Sequence, residues 1–322
     1  MKKLIFILIS LLFMYQSVNA QCCSAGIPVG GSTNIGILEK NNFRFTSFFS
    51  YSESAGYWSG SDKSIFNLVK RASYQYVGTI LSYGLFNKLT VETEFGYYLD
   101  KSQIYDFESD VNIKNQGISN GIISAKYNVL ANLNNPFEWT VSSGVKFPFI
   151  LDYARENNVV LPRDVQTSSH AMGIIGQSFL YKGYPINGIQ LFLINRIEIN
   201  YKDYKDYKFG PALISAFFFS YNLEQSNYTG IAQIRHEFRG KDAFEDTKLD
   251  ATGGHLVFLS PQLNYSTNKW NFSLLVDIPV YRYYNGTQLG NTASASFYVT
   301  KNFDLASNKA ELPFLNNNTA KN

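Results

Sequence analysis

Apolar and polar residues alternate along much of this chain, in segments joined by connections that are in turn long and short. Val141 and Val145 point to one side of such a segment, while Ser142 and Lys146 point to the other. A period of two is typical of a β-strand with one apolar and one polar face. The chain is therefore expected to consist mainly of such strands.

Twelve segments of this kind can be counted, which is an even number. They lie at 43–52, 73–83, 89–98, 119–131, 137–149, 170–181, 188–201, 209–221, 228–239, 254–266, 269–284 and 292–303. The short connections are 84–88, 132–136, 182–187, 222–227 and 267–268. The other connections are polar and mostly longer: 53–72, 99–118, 150–169, 202–208, 240–253 and 285–291. Connections that are alternately short and long are typical of an outer-membrane barrel, which has short periplasmic turns and longer external loops.

The predicted fold class is therefore all-β, a transmembrane antiparallel up-and-down β-barrel of about 12 strands spanning residues 43–303. Both termini are expected in the periplasm. Residues 21–42 are predicted to be a flexible periplasmic segment, and residues 304–322 a polar periplasmic tail. A soluble two-sheet sandwich would show the same alternation, but it would not require every second connection to be short.

Composition favours the membrane barrel over the sandwich. Charged residues make up 16% of the chain, whereas about 25% is usual in soluble domains. Aromatic residues also make up 16%, and many stand near strand ends, as in the two aromatic belts of a membrane barrel. One expected belt contains Phe137, Trp139, Tyr228, Trp270 and Phe272; the other contains Tyr97, Tyr98, Phe147, Phe149, Tyr281, Tyr283 and Tyr284.

The N-terminus carries the pattern of a secretory signal peptide at residues 1–20. Lys2 and Lys3 precede a short apolar run, and Ala20 offers a small residue for cleavage. A lipid anchor at Cys22 is disfavoured because Gln21, which is not small, precedes it. Loss of the two lysines leaves 26 basic and 25 acidic residues, so no nucleic-acid partner is predicted. The expected location is the outer membrane of a Gram-negative cell.

The polar positions of the strands define a predicted lumen lining. Its candidates are Glu92, Glu94, Lys126, Lys146, Gln190, Arg196, Glu198, Gln233, Arg235, Glu237 and Asp277. These charges either contact a solute in a wet lumen or form a lattice of salt bridges that fills a narrow interior, and the lattice is favoured for any single residue. Phe192, Ile194 and Leu275 alternate in step with these polar residues, so they have the same parity and are expected to face inward as well. Apolar side chains among the charged ones predict an amphiphilic lumen.

Catalysis is not predicted, and no catalytic residue or cofactor is assigned. A lipid hydrolase needs a serine activated by a histidine, yet neither His236 nor His255 belongs to a His-x-Ser pair. His170 follows two serines at the edge of a loop, which a polar loop explains without catalysis. Phosphate-loop and zinc-protease motifs are absent from the sequence.

Cys22 and Cys23 are the only cysteines. Thiolates favour soft metals such as copper, and a vicinal disulfide or a bond to another chain is equally open in an oxidising compartment. Two thiols make an incomplete site, since structural zinc takes four ligands. A chemically quiet or oxidised segment is the favoured interpretation, and no metal is predicted.

The stretch from Asp277 to Gly290 contains a strand proline, Asn285-Gly286 and Gln288-Leu289, and a last strand ending at Phe303 follows. This arrangement resembles the barrel proteins of the MetA-pathway phenol-degradation family. The segment Gly144–Phe149 is similar to a second such stretch, and the opening at Cys22–Gly26 resembles relatives in Bacteroidetes-type bacteria. The resemblance implies an outer-membrane channel for small, often hydrophobic or aromatic compounds, and it implies no catalytic residues.

The leading functional prediction is passive uptake of small, hydrophobic or aromatic solutes through an amphiphilic lumen. The expected partners are outer-membrane lipid and a small-molecule solute. One alternative is a non-transporting barrel whose long loops bind a surface partner. Another, less favoured, is an outer-membrane enzyme that modifies lipid.

Overall fold

The structure is a computed structural model that describes residues 36–107, 110–132, 134–223 and 226–305. The predicted signal peptide, the Cys22–Cys23 pair and residues 306–322 of the predicted tail lie outside these ranges. The described chain contains the short 3-10 helices Arg163–Val165 and Pro185–Asn187. No helix among these residues is long and apolar enough to cross a membrane.

Strands make up most of the described chain. In chain order they are β1 Asn42–Gly60, β2 Asp62–Lys63, β3 Val69–Phe86, β4 Leu89–Tyr105, β5 Val111–Ile118, β6 Asn120–Asn132, β7 Phe137–Pro148, β8 Arg155–Glu156, β9 Val159–Val160, β10 Gly173–Tyr184, β11 Ile189–Asn200, β12 Tyr207–Lys208, β13 Ala212–Asn222, β14 Tyr228–Arg239, β15 Ala243–Phe244, β16 Thr247–Lys248, β17 Gly254–Ser266 and β18 Trp270–Asp304.

Eleven of these strands form a closed antiparallel barrel. Their order around the wall is β1-β3-β4-β6-β7-β10-β11-β13-β14-β17-β18, and β18 returns to pair with β1. Strands β2 and β5 pair with β1 and β4 outside this ring. Each wall strand is hydrogen-bonded to its neighbours in sequence, which is the up-and-down topology that the alternating connections predicted. The predicted fold class is confirmed.

The last strand, β18, runs along the barrel wall twice, once in each direction. It is antiparallel to β17 through Asn271–Tyr284 and antiparallel to β1 through Thr287–Asp304. Nine antiparallel pairings lead around the wall from β1 to β17, so these two strands run in opposite directions. A chain that is antiparallel to both of them must reverse its direction, and β18 therefore reverses between these two stretches. Gly286 has a φ of 62°, a conformation that glycine adopts without strain. The barrel therefore has twelve passes, in agreement with the expected count.

Two predicted loops are largely strand. β1 and β3 remain paired up to Ser54 and Ala72, and the upper part of β4 pairs with β5 within the predicted loop 99–118. Their residues lack the apolar outer face that marks the membrane-spanning stretches, so the alternation ends before the hydrogen bonding does. These hairpins extend the wall beyond the predicted strand ends.

Both ends of the described chain lie at the short-turn end of the barrel. The Asn41 backbone N–H donates to the Gly84 carbonyl at 2.8 Å, and the Leu305 N–H donates to the Asn41 carbonyl at 3.1 Å. Leu38 is buried, and its N–H donates to the Thr90 hydroxyl at 2.8 Å. The chain thus enters β1 from inside this end.

Alternation separates an apolar outer wall from a mixed interior. In β13, Ile214, Ala216 and Phe218 are buried while Leu213, Phe217 and Phe219 are exposed. An apolar outer face carries no desolvation cost in lipid. The expected belts contain two errors, because Tyr98 and Tyr284 are almost fully buried inside the barrel. Tyr98 alternates in step with the inward residues Glu92 and Glu94 of β4, whereas a β-bulge next to Pro279 turns Tyr284 to the inward face.

A charge on the outer wall should destabilise the barrel. Ile234 lies near the middle of β14 and is 54% exposed on the outer face. We expect Ile234→Arg to lower the free energy of unfolding by about 2–4 kcal/mol, because the guanidinium would be placed in hydrocarbon. Urea unfolding in lipid vesicles measures this, with Ile234→Ala as the control. Equal stability of the two variants would place this face outside the membrane.

Candidate functional site: a roofed cavity inside the barrel

Two apolar clusters occupy opposite arcs of the interior. Their members are Phe179, Phe192, Ile194, Ile214, Ala216, Phe218 and Ile231 in the first cluster, and Phe48, Tyr74, Tyr76, Ile80, Tyr98, Leu275 and Tyr298 in the second. The first lies on β10, β11, β13 and β14, and the second lies on β18, β1, β3 and β4. Charged residues fill much of the space between these arcs.

The sequence-predicted lumen residues are nearly all buried. Gln190 and Glu198 are partly buried, and the other nine are at most 9% exposed: Glu92, Glu94, Lys126, Lys146, Arg196, Gln233, Arg235, Glu237 and Asp277. That they touch a passing solute stays a prediction. Their burial is typical of a small barrel, which side chains fill.

Most of these charges are ion-paired. Lys126 Nζ lies 2.9 Å from Glu92 Oε2 between the adjacent strands β6 and β4, and Lys146 binds Glu198 past β10. Arg196 Nη1 lies 3.6 Å from Glu94 Oε2, although β6, β7 and β10 separate their strands in the wall. This last pair therefore joins the two arcs across the interior.

Arg235 is the centre of a second ionic network. Its two terminal nitrogens each donate to one carboxylate oxygen of Asp277 at 3.1 Å, and its Nε lies 3.0 Å from Glu237 Oε1. The Ser294 hydroxyl also donates to Asp277 at 3.0 Å. A bidentate Arg–carboxylate pair requires a specific geometry. This network therefore fixes β14 relative to β18 across the intervening β17.

A cavity of ≈ 220 Å³ lies inside the barrel, lined in part by these ion pairs. Five predicted lumen residues line it: Glu94, Lys146, Arg196, Glu198 and Glu237. Six do not: Glu92, Lys126, Gln190, Gln233, Arg235 and Asp277. The division follows height along the strands, which parity does not reveal.

One wall of the cavity is aromatic. Phe48, Tyr76 and Tyr98 line it, and the Tyr76 and Tyr98 ring centroids are 4.9 Å apart. A Cβ at Gly78 would lie 2.1 Å from the Phe48 ring, and one at Gly96 would lie 2.2 Å from the Tyr76 hydroxyl. Glycine at these two positions lets the rings lie flat against the backbone and keeps the cavity open.

The cavity lining contains polar atoms that lack a hydrogen bond, and those of Glu94 and Arg196 form its floor. Among the described residues, Glu94 Oε2, Arg196 Nε and Arg239 Nε are buried without a hydrogen-bond partner. The 3.6 Å separation of Glu94 and Arg196 gives an ionic contact but exceeds hydrogen-bond length. An acceptor and a donor are thus available to a polar group placed between them.

A loop folded over the long-loop end of the barrel forms the roof of the cavity. This roof loop comprises residues 149–172, between β7 and β10. On the side of β4 and β5, the Lys101 ammonium donates to the Gln166 carbonyl at 2.7 Å and the Asn115 amide donates to the Val165 carbonyl at 3.1 Å. Val165 is fully buried. Residues 165–168 of the predicted loop 150–169 are therefore packed into the interior, whereas 155–160 are exposed.

The opposite side of the roof loop meets the loop between β11 and β13. The Arg163 guanidinium lies 3.5 Å from the Tyr207 ring centroid and 3.3 Å from Asp203 Oδ2, and it also donates to the Tyr153 hydroxyl. Burial and the neighbouring Asp242 carboxylate raise the pKa of Tyr207. Burial acts to raise the pKa of Asp203, yet hydrogen bonds from Tyr153 and from backbone N–H groups lower it overall. Asp203 is therefore an anion facing Arg163.

His170 packs within the roof loop without a catalytic partner among the described residues. Its ring stacks on Tyr153 at 4.3 Å between centroids, and its backbone N–H, not its ring, donates to the Ser168 hydroxyl. Burial lowers the pKa of His170. The other histidines, His236 and His255, pair with each other at 3.3 Å.

A metal site finds no support in the described ranges. No group of three or more His, Cys, Asp or Glu side chains there is placed to hold an ion. The cysteines Cys22 and Cys23 lie outside these ranges.

Sequence reasoning missed several cavity residues, among them Tyr98, Arg239 and Arg163. Tyr98 has the same parity as Glu92 and Glu94, and Arg239 has the parity of Arg235 and Glu237, so an extended parity rule would have found both. Arg163 stands in a loop without periodicity, and no sequence signal identified it.

The described barrel is similar to known outer-membrane proteins. No family model and no curated protein matches the sequence. The COG4313 outer membrane channel from Pseudomonas putida F1 superposes with a TM-score of 0.68 at 10% identity, over 84% of this chain and 98% of that chain. At this identity the likeness shows the fold: the chain folds as an outer-membrane β-barrel.

Two further structures match more loosely. The KdgM porin has a TM-score of 0.42 at 10% identity, over 80% of this chain and 99% of that chain. A Pseudomonas aeruginosa FadL homologue has a TM-score of 0.42 at 8% identity, over 82% and 90%. These two scores are too low to support an argument.

Removal of Arg235 should destabilise the barrel. We expect Arg235→Ala to lower the free energy of unfolding by about 3–5 kcal/mol, because Asp277 would stay buried without its cation and Glu237 would keep only its 3.8 Å contact with Arg239. Urea unfolding in vesicles tests this, with the exposed Lys248→Ala as the control. The double variant Arg235→Ala/Asp277→Ala should recover part of the loss, and additive effects of the two changes would contradict the pairing.

Acidification should loosen the roof loop at His170. Because burial lowers the pKa of His170, the packed loop favours neutral imidazole and loses stability as pH falls through that lowered pKa. An NMR titration of the ring protons should give a midpoint below about 6.5, the ordinary value. Tyr153→Leu, which removes the stacked ring, should move the midpoint back towards that value. A wild-type midpoint at or above 6.5 would show that the ring is not buried.

Proposed function

We propose that this protein is an outer-membrane channel for the passive uptake of small, hydrophobic or aromatic solutes. The observation that carries the proposal is a cavity with an aromatic wall and balanced charges, inside a barrel similar to an outer membrane channel. In this proposal the long loops face the outside of a Gram-negative cell, both termini lie in the periplasm, and no cofactor takes part.

The charges around the cavity favour a solute without net charge. Its lining contains the cations Lys101, Lys146, Arg163, Arg196 and Arg239 and the carboxylates Glu94, Asp164, Glu198, Glu237 and Asp242. Equal numbers of both signs select for neither anions nor cations. The tyrosine and phenylalanine rings can instead stack with an aromatic solute at favourable offset or edge geometries.

The polar floor can orient such a solute. A hydroxyl or amide is both donor and acceptor, so it can bind the Glu94 carboxylate oxygen and the Arg196 Nε–H together. The floor atoms carry no hydrogen bond of their own among the described residues, and burying them unpaired costs about 1–3 kcal/mol each. A solute that satisfies them would recover part of this free energy.

An apolar strip lies in the part of the interior that is nearer the short-turn end, outside the cavity lining. Phe192 and Ile231 stand near the starts of β11 and β14, and both are buried against Phe218. This strip would give the non-polar part of a solute an apolar surface after it leaves the cavity. The resemblance of the Asp277–Gly290 stretch to the phenol-degradation family is consistent with a solute of this kind.

Transport can be measured on the purified protein. We expect ionic conductance in planar bilayers and faster entry of a phenol or an aromatic alcohol than of a sugar of similar mass into proteoliposomes. Absence of both conductance and solute entry would favour the non-transporting barrel, and turnover of added lipid would favour the enzyme.

Tyr98 should contribute to solute binding. We expect Tyr98→Leu to weaken block of the ionic current by an aromatic solute about twofold to tenfold, because one stacking contact contributes about 0.5–1.5 kcal/mol. Tyr283→Leu is the matched control, since Tyr283 is 45% exposed on the outer wall. The same loss in both variants would place the binding site elsewhere.

A further inference from the structure

The outer part of the roof loop, from Ala154 to Gln166, is one small compact body held together by its own contacts. Strands β8 and β9 form a hairpin within it. The Gln166 side chain accepts from the Ala154 N–H at 2.9 Å and donates to the Leu161 carbonyl at 2.9 Å. The hairpin is therefore tied to residue 166 from both of its strands.

One side of this body, at residues 165–169, is attached to the barrel wall. Besides the bonds from Lys101 and Asn115, the Asn120 side-chain oxygen accepts from the Ser168 hydroxyl at 3.0 Å and from the Ser169 N–H at 3.1 Å. Several of these bonds use roof-loop backbone groups, so they do not depend on the identity of a roof-loop side chain. They hold residues 165–169 at the wall formed by β4, β5 and β6.

The opposite side of the body, across the mouth, is held mainly by Arg163 and Tyr153. Both reach Asp203 across the mouth, and Arg163 also stacks on Tyr207. The side chain of Asp203 is fully buried, whereas that of Arg163 is 27% exposed. Water therefore has access to the Arg163 side chain but not to its acceptor.

The acceptor side of this contact is rigid without Arg163. Asp203 Oδ1 accepts from the Lys205 N–H at 2.8 Å and from the Tyr207 N–H at 3.0 Å. The Tyr207 hydroxyl donates to Asp242, which also accepts from the Gly210 N–H at 2.7 Å. Asp203 and Tyr207 thus form a fixed receptor, and Arg163 is the part that can leave it.

We propose that Arg163 gates the mouth of the barrel by latching the roof loop onto Asp203 and Tyr207. With the latch closed, the roof loop covers the cavity; with Arg163 released, the hairpin turns about residues 165–169 and opens the cavity to the outside. As a gate for solute passage, this rests on the proposed channel function. A packed loop with two discrete arrangements is the kind of element that such switching requires.

The latch can be tested by access to the cavity. Ser119 lines the cavity and is 7% exposed, so Ser119→Cys, in a Cys22→Ser/Cys23→Ser background, reports access to a small membrane-impermeant thiol reagent. We expect Arg163→Ala to raise the labelling rate about tenfold or more, the factor that corresponds to ~1.4 kcal/mol. Arg163→Lys should give a smaller rise, because lysine lacks the planar group that stacks on Tyr207.

Arg155→Ala is the matched control, because it removes the same charge from an exposed position of the same loop. Single-channel conductance of each variant is recorded in parallel. The expected result is faster labelling and a larger open fraction for Arg163→Ala, with Arg155→Ala like the parent.

Two other results separate the inference from the channel proposal. Equal labelling rates for Arg163→Ala, Arg155→Ala and the parent would overturn the latch, whatever the conductance. Faster labelling of Arg163→Ala with no ion or solute flux in any variant would overturn the channel function and leave a latch over a closed cavity.

Discussion

The hydrogen bonds between β1 and β18 are the constraint on which the rest of the structure depends. They run from Asn42↔Asp304 to Ser59↔Thr287 and join the first and last strands of the described barrel. In lipid, unpaired backbone groups cost several kcal/mol each, so a spanning sheet must close on itself. Closure removes the sheet edges and assigns every second residue to the interior. The buried charges, the aromatic arcs and the cavity all follow from that assignment.

The interior of a barrel this size forces its charges into pairs. Lys126 with Glu92, and Arg235 with Asp277, are held by partners that strand geometry fixes. Such pairs leave little for a solute to bind. Glu94 and Arg196 differ, because their ion pair is long and retains free hydrogen-bonding atoms at the cavity floor. The rigid wall and floor contrast with the roof loop, whose attachment across the mouth is mainly two side chains reaching one carboxylate.

Much of the barrel was predictable because strand periodicity is local. Parity placed Glu92, Lys126 and Gln233 on the inward face, and all are buried. The same rule, extended by two alternations from Glu94, would have moved Tyr98 from the aromatic belt to the cavity wall. The hairpin extensions of β1 and β4 were missed because their residues carry no apolar outer face, although their backbone pairing continues.

The sequence by itself determined the strand type, the number of passes, the alternation of short and long connections and the two faces of each strand. All of these depend on residues close together in the chain. Only the tertiary structure decided which charges pair and which line the cavity, and that the roof loop packs inward. Arg163 meets Asp203 forty positions away, and Lys101 meets Gln166 across sixty-five. No local pattern encodes such contacts, because they form only once the closed barrel has brought its loops together over one mouth.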